Sequence, residues 1–182
     1  MMGMEKLIEL AKKIEDKILR EKTIELLKEI KLTHPDFSRY LKEDPENVKT
    51  PFGINGIFVL RDLITHTEAV TKACINLAKT LEECFNLKVK LDYLIAGALL
   101  HDIMKVYEFK DARPTNILLD HSSLAMAELY KREFPEEVLH IIISHSGSPT
   151  NPPKTLEALI LHYVDTLSAL IEFYIQQSQG EL

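Results

Sequence analysis

Between Met4 and Leu32 the apolar residues Leu7, Leu10, Ala11, Ile14, Ile18, Ile24, Leu27 and Ile30 recur at intervals of three and four, with charges between them. That spacing predicts one long amphipathic helix or two. The period fails from Thr33 to Gly56, where His34-Pro35, Asp44-Pro45, Thr50-Pro51 and the Gly53, Asn55, Gly56 cluster act as breakers. This segment is expected to be irregular, wrapping the domain or bordering a pocket. From about Leu60 to Phe85 the helical period returns, with Leu63, His66, Val70, Ala73, Leu77 and Leu81 as its inner stripe.

The run Leu94 to Leu100 is apolar without interruption, too broad for one face, so a helix from Leu91 to Ile103 should be covered on most sides. It ends in His101-Asp102. Lys105 to Leu119, centred on Arg113-Pro114, reads as irregular. Asp120, His121, Ser122 and Ser123 offer N-caps for a helix through Leu124 and Tyr130. Pro135 opens a further helix as its first residue, and Val138 to Ile143 make that helix buried and deliver His145 at its end. A last helix runs from Lys154 or Thr155 to about Gln177. Its core candidates are Leu156, Leu159, Ile160, Tyr163, Val164, Leu167, Leu170 and Ile171, and His162, Asp165 and Glu172 share a more polar stripe. No strand period is found, so the expected class is all-α: a single-domain helical bundle packed around Leu94 to Leu100. Residues 1–56 form a helical segment and wrapping loop within that domain, and residues 57–182 its core.

Length and composition narrow the function. The 182 residues suffice for one full core, and 46% hydrophobic with 27% charged residues argues against disorder. A net charge of −6 disfavours a long nucleic acid as partner, because that affinity leans on many Lys and Arg contacts to phosphate. No stretch reads as a membrane span or signal peptide, and Leu7 breaks the myristoylation pattern that Met2-Gly3 begins, so the expectation is cytoplasmic. Cys74 and Cys84, ten positions apart on one helix, are too distant to pair and are expected to be free and buried.

An ionised carboxylate beside an imidazole at the end of a buried helix is costly unless paired, hydrogen-bonded or bound to a cation. A His-Asp dipeptide alone is weak support for a metal site. Here it stands in an ordered set: His66, His101-Asp102, His121, His145, Asp165. Imidazoles and carboxylates together suit first-row divalent metals without choosing among them. Lys105 is a candidate for holding a phosphate or leaving oxygen, and Arg61 and Arg113 are further candidate anion contacts.

In that order the residues resemble the HD superfamily of metal-dependent phosphohydrolases in its dinuclear form, over roughly Leu60 to Phe173. The wording Ala98-Leu99-Leu100-His101-Asp102-Ile103-Met104-Lys105 carries the likeness. So does Gly147-Ser148-Pro149 with Pro153-Lys154-Thr155-Leu156-Glu157-Ala158 and His162-Tyr163-Val164-Asp165, which is similar to the HD domain of bacterial 3′-to-5′ exoribonucleases. Three positions depart from the pattern. Gly56 to Asp62 replaces a His-His and a Gly-Gly pair, Met104 replaces a glycine, and Ser146 stands where a second histidine is common.

The resemblance implies that His66, His101 and Asp165 hold one divalent ion, His121 and His145 a second, and that Asp102 bridges them. Fe²⁺ or Mn²⁺ is favoured, with Zn²⁺, Ni²⁺ or Co²⁺ compatible. It implies attack of a metal-bridging hydroxide on phosphorus. Compact archaeal members that open the 2′,3′-cyclic phosphate of dihydroneopterin on the way to methanopterin are similar in size and layout, which points to a small nucleotide-like or pterin-like substrate. The competing expectations are a 5′-nucleotidase or other phosphomonoesterase, a diiron oxygenase of the same ligand type, and a catalytically silent metal or nucleotide binding module. A homo-oligomer is compatible with all of them.

Overall fold

The computed structural model describes residues 3–180. Two short helices open the chain, α1 (Gly3–Ala11) and α2 (Lys17–Lys28), followed by 3₁₀ turns at Pro35–Phe37 and Pro45–Asn47. Strands β1 (Lys49–Ile54) and β2 (Ile57–Asp62) precede α3 (Leu63–Phe85) and α4 (Leu91–Leu100). The short helix α5 (Lys105–Glu108) leads into a two-residue ladder, β3 (Phe109–Lys110) with β4 (Arg113–Pro114). Helices α6 (His121–Lys131), α7 (Glu136–Ser144) and α8 (Leu156–Gly180) complete an all-α bundle.

Helix α4 is the axis of the packing, touching α1, α2, α3, α7 and α8. Every residue from Leu94 to Leu100 is buried. Its two faces feed two apolar clusters. Ile95, Ala96, Leu99 and Leu100 pack with α1, α2, α6 and α7. Leu94 and Ala98 pack with Val70 and Cys74 of α3, Ile141 of α7 and Ala158, Leu161 and Val164 of α8. Asp92, in the first turn of α4, accepts hydrogen bonds from the Glu15 and Asp16 amides at 2.8 Å, which ties the α1–α2 turn to the central helix.

Four expectations change. Strands β1 and β2 pair as a regular antiparallel hairpin across Asn55-Gly56, whose φ values of 51° and 82° are those of a type I′ turn. Asn-Gly was the overlooked signal, masked by Pro51 and Gly53 nearby. Helix α3 accordingly starts at Leu63, capped by Asp62, whose carboxylate accepts the Thr65 amide at 2.8 Å. Of the two cysteines, both free, Cys84 is exposed. Finally, α8 is apolar on two sides. Leu159, Tyr163, Leu167, Leu170 and Ile171, expected in the core, face outward. By length and composition Leu156–Gln179 could cross a membrane, with mean hydropathy 1.4, although none was expected to; 28% of its most apolar stretch is buried within the chain.

Met104, at the position of the usual glycine, sits at φ −79° and is fully buried, so no left-handed residue is needed there. Gly97 is a true close approach. A Cβ on it would lie 2.4 Å from Ile141 Cγ2 and 3.1 Å from Ile141 Cβ, and a β-branched neighbour on α7 has little freedom to retreat. Gly97→Ala should therefore cost about 1–3 kcal/mol through overpacking, against a gain in helix propensity of about 1 kcal/mol. Urea denaturation monitored by circular dichroism would measure it; an unchanged or higher midpoint would mean that α4 and α7 are not in van der Waals contact there.

Candidate metal centre

Helix ends build the site. His66 lies one turn into α3, held by the Asp62 cap. His101 and His145 terminate α4 and α7 in the same way: each keeps helical backbone angles and points Nδ1–H at the carbonyl three residues back, Ala98 at 2.8 Å and Ile142 at 2.6 Å. These carbonyls are among the acceptors a helix C-terminus leaves open. Each bond fixes the tautomer and turns the Nε2 lone pair inward. Asp102 follows in the turn after α4, and Asp120 caps α6 through the Ser123 amide at 2.7 Å, so that His121 leads that helix. Asp165 comes from the inner side of α8.

Asp102 is the meeting point. Its Oδ2 faces His101 Nε2 at 3.5 Å and His66 Nε2 at 3.9 Å, while Oδ1 faces His121 Nε2 at 3.2 Å and His145 Nε2 at 3.6 Å. Asp165 Oδ1 joins the first set, 2.9 Å from His66 Nε2 and 3.9 Å from His101 Nε2. The candidate ligand atoms of His66, His101 and Asp102 all lie within 4.8 Å of one another, as do those of Asp102, His121 and His145. One carboxylate thus serves two groups, one per oxygen. His101 Nε2 and Asp102 Oδ1 are buried without a hydrogen-bond partner among the described residues. Buried polar atoms without partners are costly, and a convergent set of lone pairs is what a divalent cation requires. The residues fit a metal centre.

Two glutamates complete it. Glu172 of α8 accepts His66 Nδ1–H at 2.6 Å, and Glu108 at the end of α5 accepts His121 Nδ1–H at 2.5 Å. A carboxylate behind a ligating imidazole fixes its tautomer and makes it a stronger donor. Neither Glu was singled out from sequence as acting on the site. Glu172 does fall seven residues after Asp165 on one helix face, a spacing that could have been read. His162 acts beneath His145: its Nδ1–H donates to the His145 carbonyl at 2.8 Å, and Gly147, at φ 67°, leaves the room that its ring fills.

The cations are placed unequally. Lys105 is buried, with Nζ 2.7 Å from Asp102 Oδ2. Arg61 is also buried, with Nη1 3.5 Å from His66 Nε2, its guanidinium over the Phe52 ring and its Nε unpartnered. Arg113 stands on the exposed β3–β4 ladder, with no side-chain hydrogen bond to the cluster among the described residues. Charges set the proton affinities. Burial alone would lower His66, yet the Asp165 and Glu172 carboxylates raise it to about 9. Burial likewise opposes charge on His121, and Asp102 and Glu108 outweigh it and raise its pKa. Burial dominates at His145 and lowers its pKa. Burial would push Asp102 up, but Lys105 and His101 hold it well below the usual carboxylate range. Asp165, also buried, is brought down to about 2 by His66 and His101.

Comparisons with known proteins match the segment that carries His66 through Asp165. A sequence model of the HD domain matches residues 63–170. The chain is 44% identical over 179 residues to the dihydroneopterin 2′,3′-cyclic phosphate phosphodiesterase of Methanocaldococcus jannaschii, covering 92% of this chain and 70% of that protein. It is 38% identical over 114 residues to the 3′-5′ exoribonuclease YhaM of Bacillus licheniformis, and 39% over 113 residues to that of Bacillus subtilis. It spans only 36% and 35% of their lengths. No solved structure matches.

In the metal-free chain His66 carries protons on both nitrogens between Glu172 and Asp165. With a folded pKa of about 9 against an ordinary 6.5, its contribution to stability is complete below pH 6.5 and is lost as pH rises through 9. Chelator-treated protein should therefore lose on the order of 1–3 kcal/mol of stability between pH 7 and 9.5 in urea titrations, and metal-loaded protein distinctly less, since a metal displaces the Nε2 proton. A flat profile for the chelated protein would contradict the paired arrangement. Glu172→Gln and Glu108→Gln should each weaken metal binding by about 10- to 100-fold in competition with a chromogenic chelator.

Proposed function

The chain belongs to the HD-domain family, and from that premise we propose that this metal-dependent phosphoric ester hydrolase opens a cyclic phosphate diester, specifically that of 7,8-dihydroneopterin 2′,3′-cyclic phosphate. Identity of 44% along most of the chain to a phosphodiesterase with that substrate in its name supports the choice. The observation that carries it is the single buried carboxylate shared by two ligand groups, with Lys105 and Arg61 beside it. The proposed ligands are His66, His101, Asp102 and Asp165 for one divalent ion and Asp102, His121 and His145 for the other, with Fe²⁺ or Mn²⁺ favoured. Two such ions supply a water of lowered pKa and neutralise phosphate oxygens. Two free thiols accord with action in the cytoplasm.

The chain's own groups then divide the work. Asp102 keeps the two ligand groups in fixed relation, because Oδ2 accepts the Lys105 ammonium, Oδ1 faces His121 and His145, and its backbone carbonyl accepts the Lys105 amide at 2.9 Å. That bond sets Lys105 one turn ahead of the carboxylate it contacts. With divalent ions held by these ligands Asp102 would be neutralised, and the Lys105 ammonium beside it would be free to hold a non-bridging phosphate oxygen and stabilise the charge that develops there. Arg61, whose Nη1 lies 3.5 Å from His66 Nε2, is the second contact for the same phosphate. In the overall step one P–O bond forms from water and one ring P–O bond breaks. The proton passes to the freed 2′ or 3′ oxygen of the pterin side chain, giving a monoester.

The test is hydrolysis of the pterin cyclic phosphate, of 2′,3′-cyclic AMP and of a matched monoester by stripped protein reconstituted anaerobically with Fe²⁺ or Mn²⁺. Diester opening that requires metal is expected, with Asp102→Ala inactive. Lys105→Ala should lower kcat by about 100- to 1,000-fold, and Arg61→Ala should raise KM. Turnover of the monoester alone would replace the assignment with a phosphomonoesterase, and oxygen uptake without phosphate release would replace it with an oxygenase.

A further inference from the structure

Helix α8 has two apolar faces and one of them is bare. Leu159, Tyr163, Leu167, Leu170, Ile171, Tyr174 and Ile175 follow helical spacing along a single outer stripe, each between 43% and 72% exposed. Over that stretch no charged residue faces out. The three acids of the helix are engaged inward: Glu157 accepts the Lys90 amide at 2.7 Å, and Asp165 and Glu172 hold His66. Helix α8 contains no Lys or Arg. Beside its C-terminal half lies the β1–β2 hairpin, where Gln176 Nε2 donates to the Leu60 carbonyl at 2.8 Å and Ile57, Phe58 and Leu60 are also exposed.

The size of this surface decides what it is for. The α8 stripe alone presents on the order of 700 Å², whereas the largest apolar patch of a typical monomer is about 300–600 Å². A stable pairwise interface buries about 800 Å² on each partner. We propose that this face is the interface of a two-fold homodimer in which α8 packs antiparallel against α8 of a second copy, flanked by the two hairpins.

Self-complementarity singles out a second copy as the occupant. Leu167 is the midpoint of a stripe that runs from Leu159 to Ile175, about 24 Å long. An antiparallel pairing about Leu167 sets Leu159 against Ile175 and Tyr163 against Ile171, apolar against apolar throughout, with no charge to oppose. A membrane surface is the poorer match. An interfacial helix is ordinarily rimmed with Lys and Arg, which α8 lacks, and the chain carries −6 overall. Because the opposite side of α8 supplies Asp165 and Glu172, the dimer would brace the helix that holds both carboxylates on His66. The proposal stands independently of the substrate.

Sedimentation velocity on the metal-loaded chain should give twice the chain mass of 20.9 kDa. Leu167→Glu should shift it to the single mass, weakening association by about 100-fold or more, with helicity and metal content unchanged. Leu167→Cys in a Cys84→Ser background should form a disulfide-linked dimer on mild oxidation, which decides the matter if the charged variant fails to fold. Flotation with phosphatidylcholine–phosphatidylglycerol vesicles completes the set. A wild-type chain that stays at the single mass, a dimer that survives Leu167→Glu, or a monomer that floats with vesicles would each overturn the proposal.

Discussion

One buried carboxylate governs this structure. Asp102 is withdrawn from water, and each of its oxygens faces two imidazole nitrogens from different helices. A bare carboxylate there would carry a penalty of several kcal/mol, which Lys105 offsets in part. The imidazoles of His101 and His121 supply further compensation, and together these groups hold Asp102 ionised. The need to hold them around one carboxylate explains why the most apolar helix of the chain runs straight into it. Burying α4 on all sides fixes the one side chain whose position sets both ligand groups.

The four histidines are oriented by two devices, and each ligand group contains one of each. His101 and His145 use an unclaimed carbonyl at the end of their own helix, so their geometry is set by local backbone. His66 and His121 use carboxylates from other elements, Glu172 and Glu108, so theirs depends on the tertiary fold. The first device gives a rigid ring whose Nδ1 is committed to the backbone and whose Nε2 faces in. The second gives a more basic ring, raised at His66 by Asp165 and Glu172 and at His121 by Asp102 and Glu108. Metal and proton therefore compete at His66 and His121, whereas at His145 burial already favours the neutral ring.

These differences also account for what could be read from the chain. His101, Asp102, His121 and His145 were legible because they sit where helices begin and end, positions that caps, breakers and interrupted apolar runs mark in sequence, whereas His66 inside α3 and Asp165 in the middle of α8 were picked out by the resemblance of the ordered set. Glu108 and Glu172 were not, since a glutamate on a helix has the same local pattern whether it meets water or an imidazole from another helix. Arg61 was legible only as a charge, because its burial depends on a β1–β2 hairpin that Pro51 and Gly53 disguised. Arg113, read on equal terms, lies on an exposed ladder. For α8, period located the helix correctly and assigned Leu159, Tyr163, Leu167, Leu170 and Ile171 to the core. A helix with two apolar faces does not reveal in its own sequence which one turns inward.

The choice between those faces is made by polar contacts. Asp165 and Glu172 stand two turns apart on α8, about 10 Å along its axis, and both reach the same ring, one at Nε2 and the other at Nδ1. A ring gripped from two points on one helix fixes both the rotation and the axial register of that helix. Rotating α8 to bury Tyr163, Leu167 and Tyr174 would turn Asp165 and Glu172 out to solvent, release His66, and leave Asp102 with one fewer counter-group. Burial of roughly three large side chains is worth on the order of 5–9 kcal/mol, but the same rotation would expose Ile160, Leu161 and Val164, now buried, so little apolar burial is gained while the two contacts to His66 are lost. The exposed stripe is thus a consequence of the site: α8 is held by its polar contacts, and its second apolar face is left for a partner.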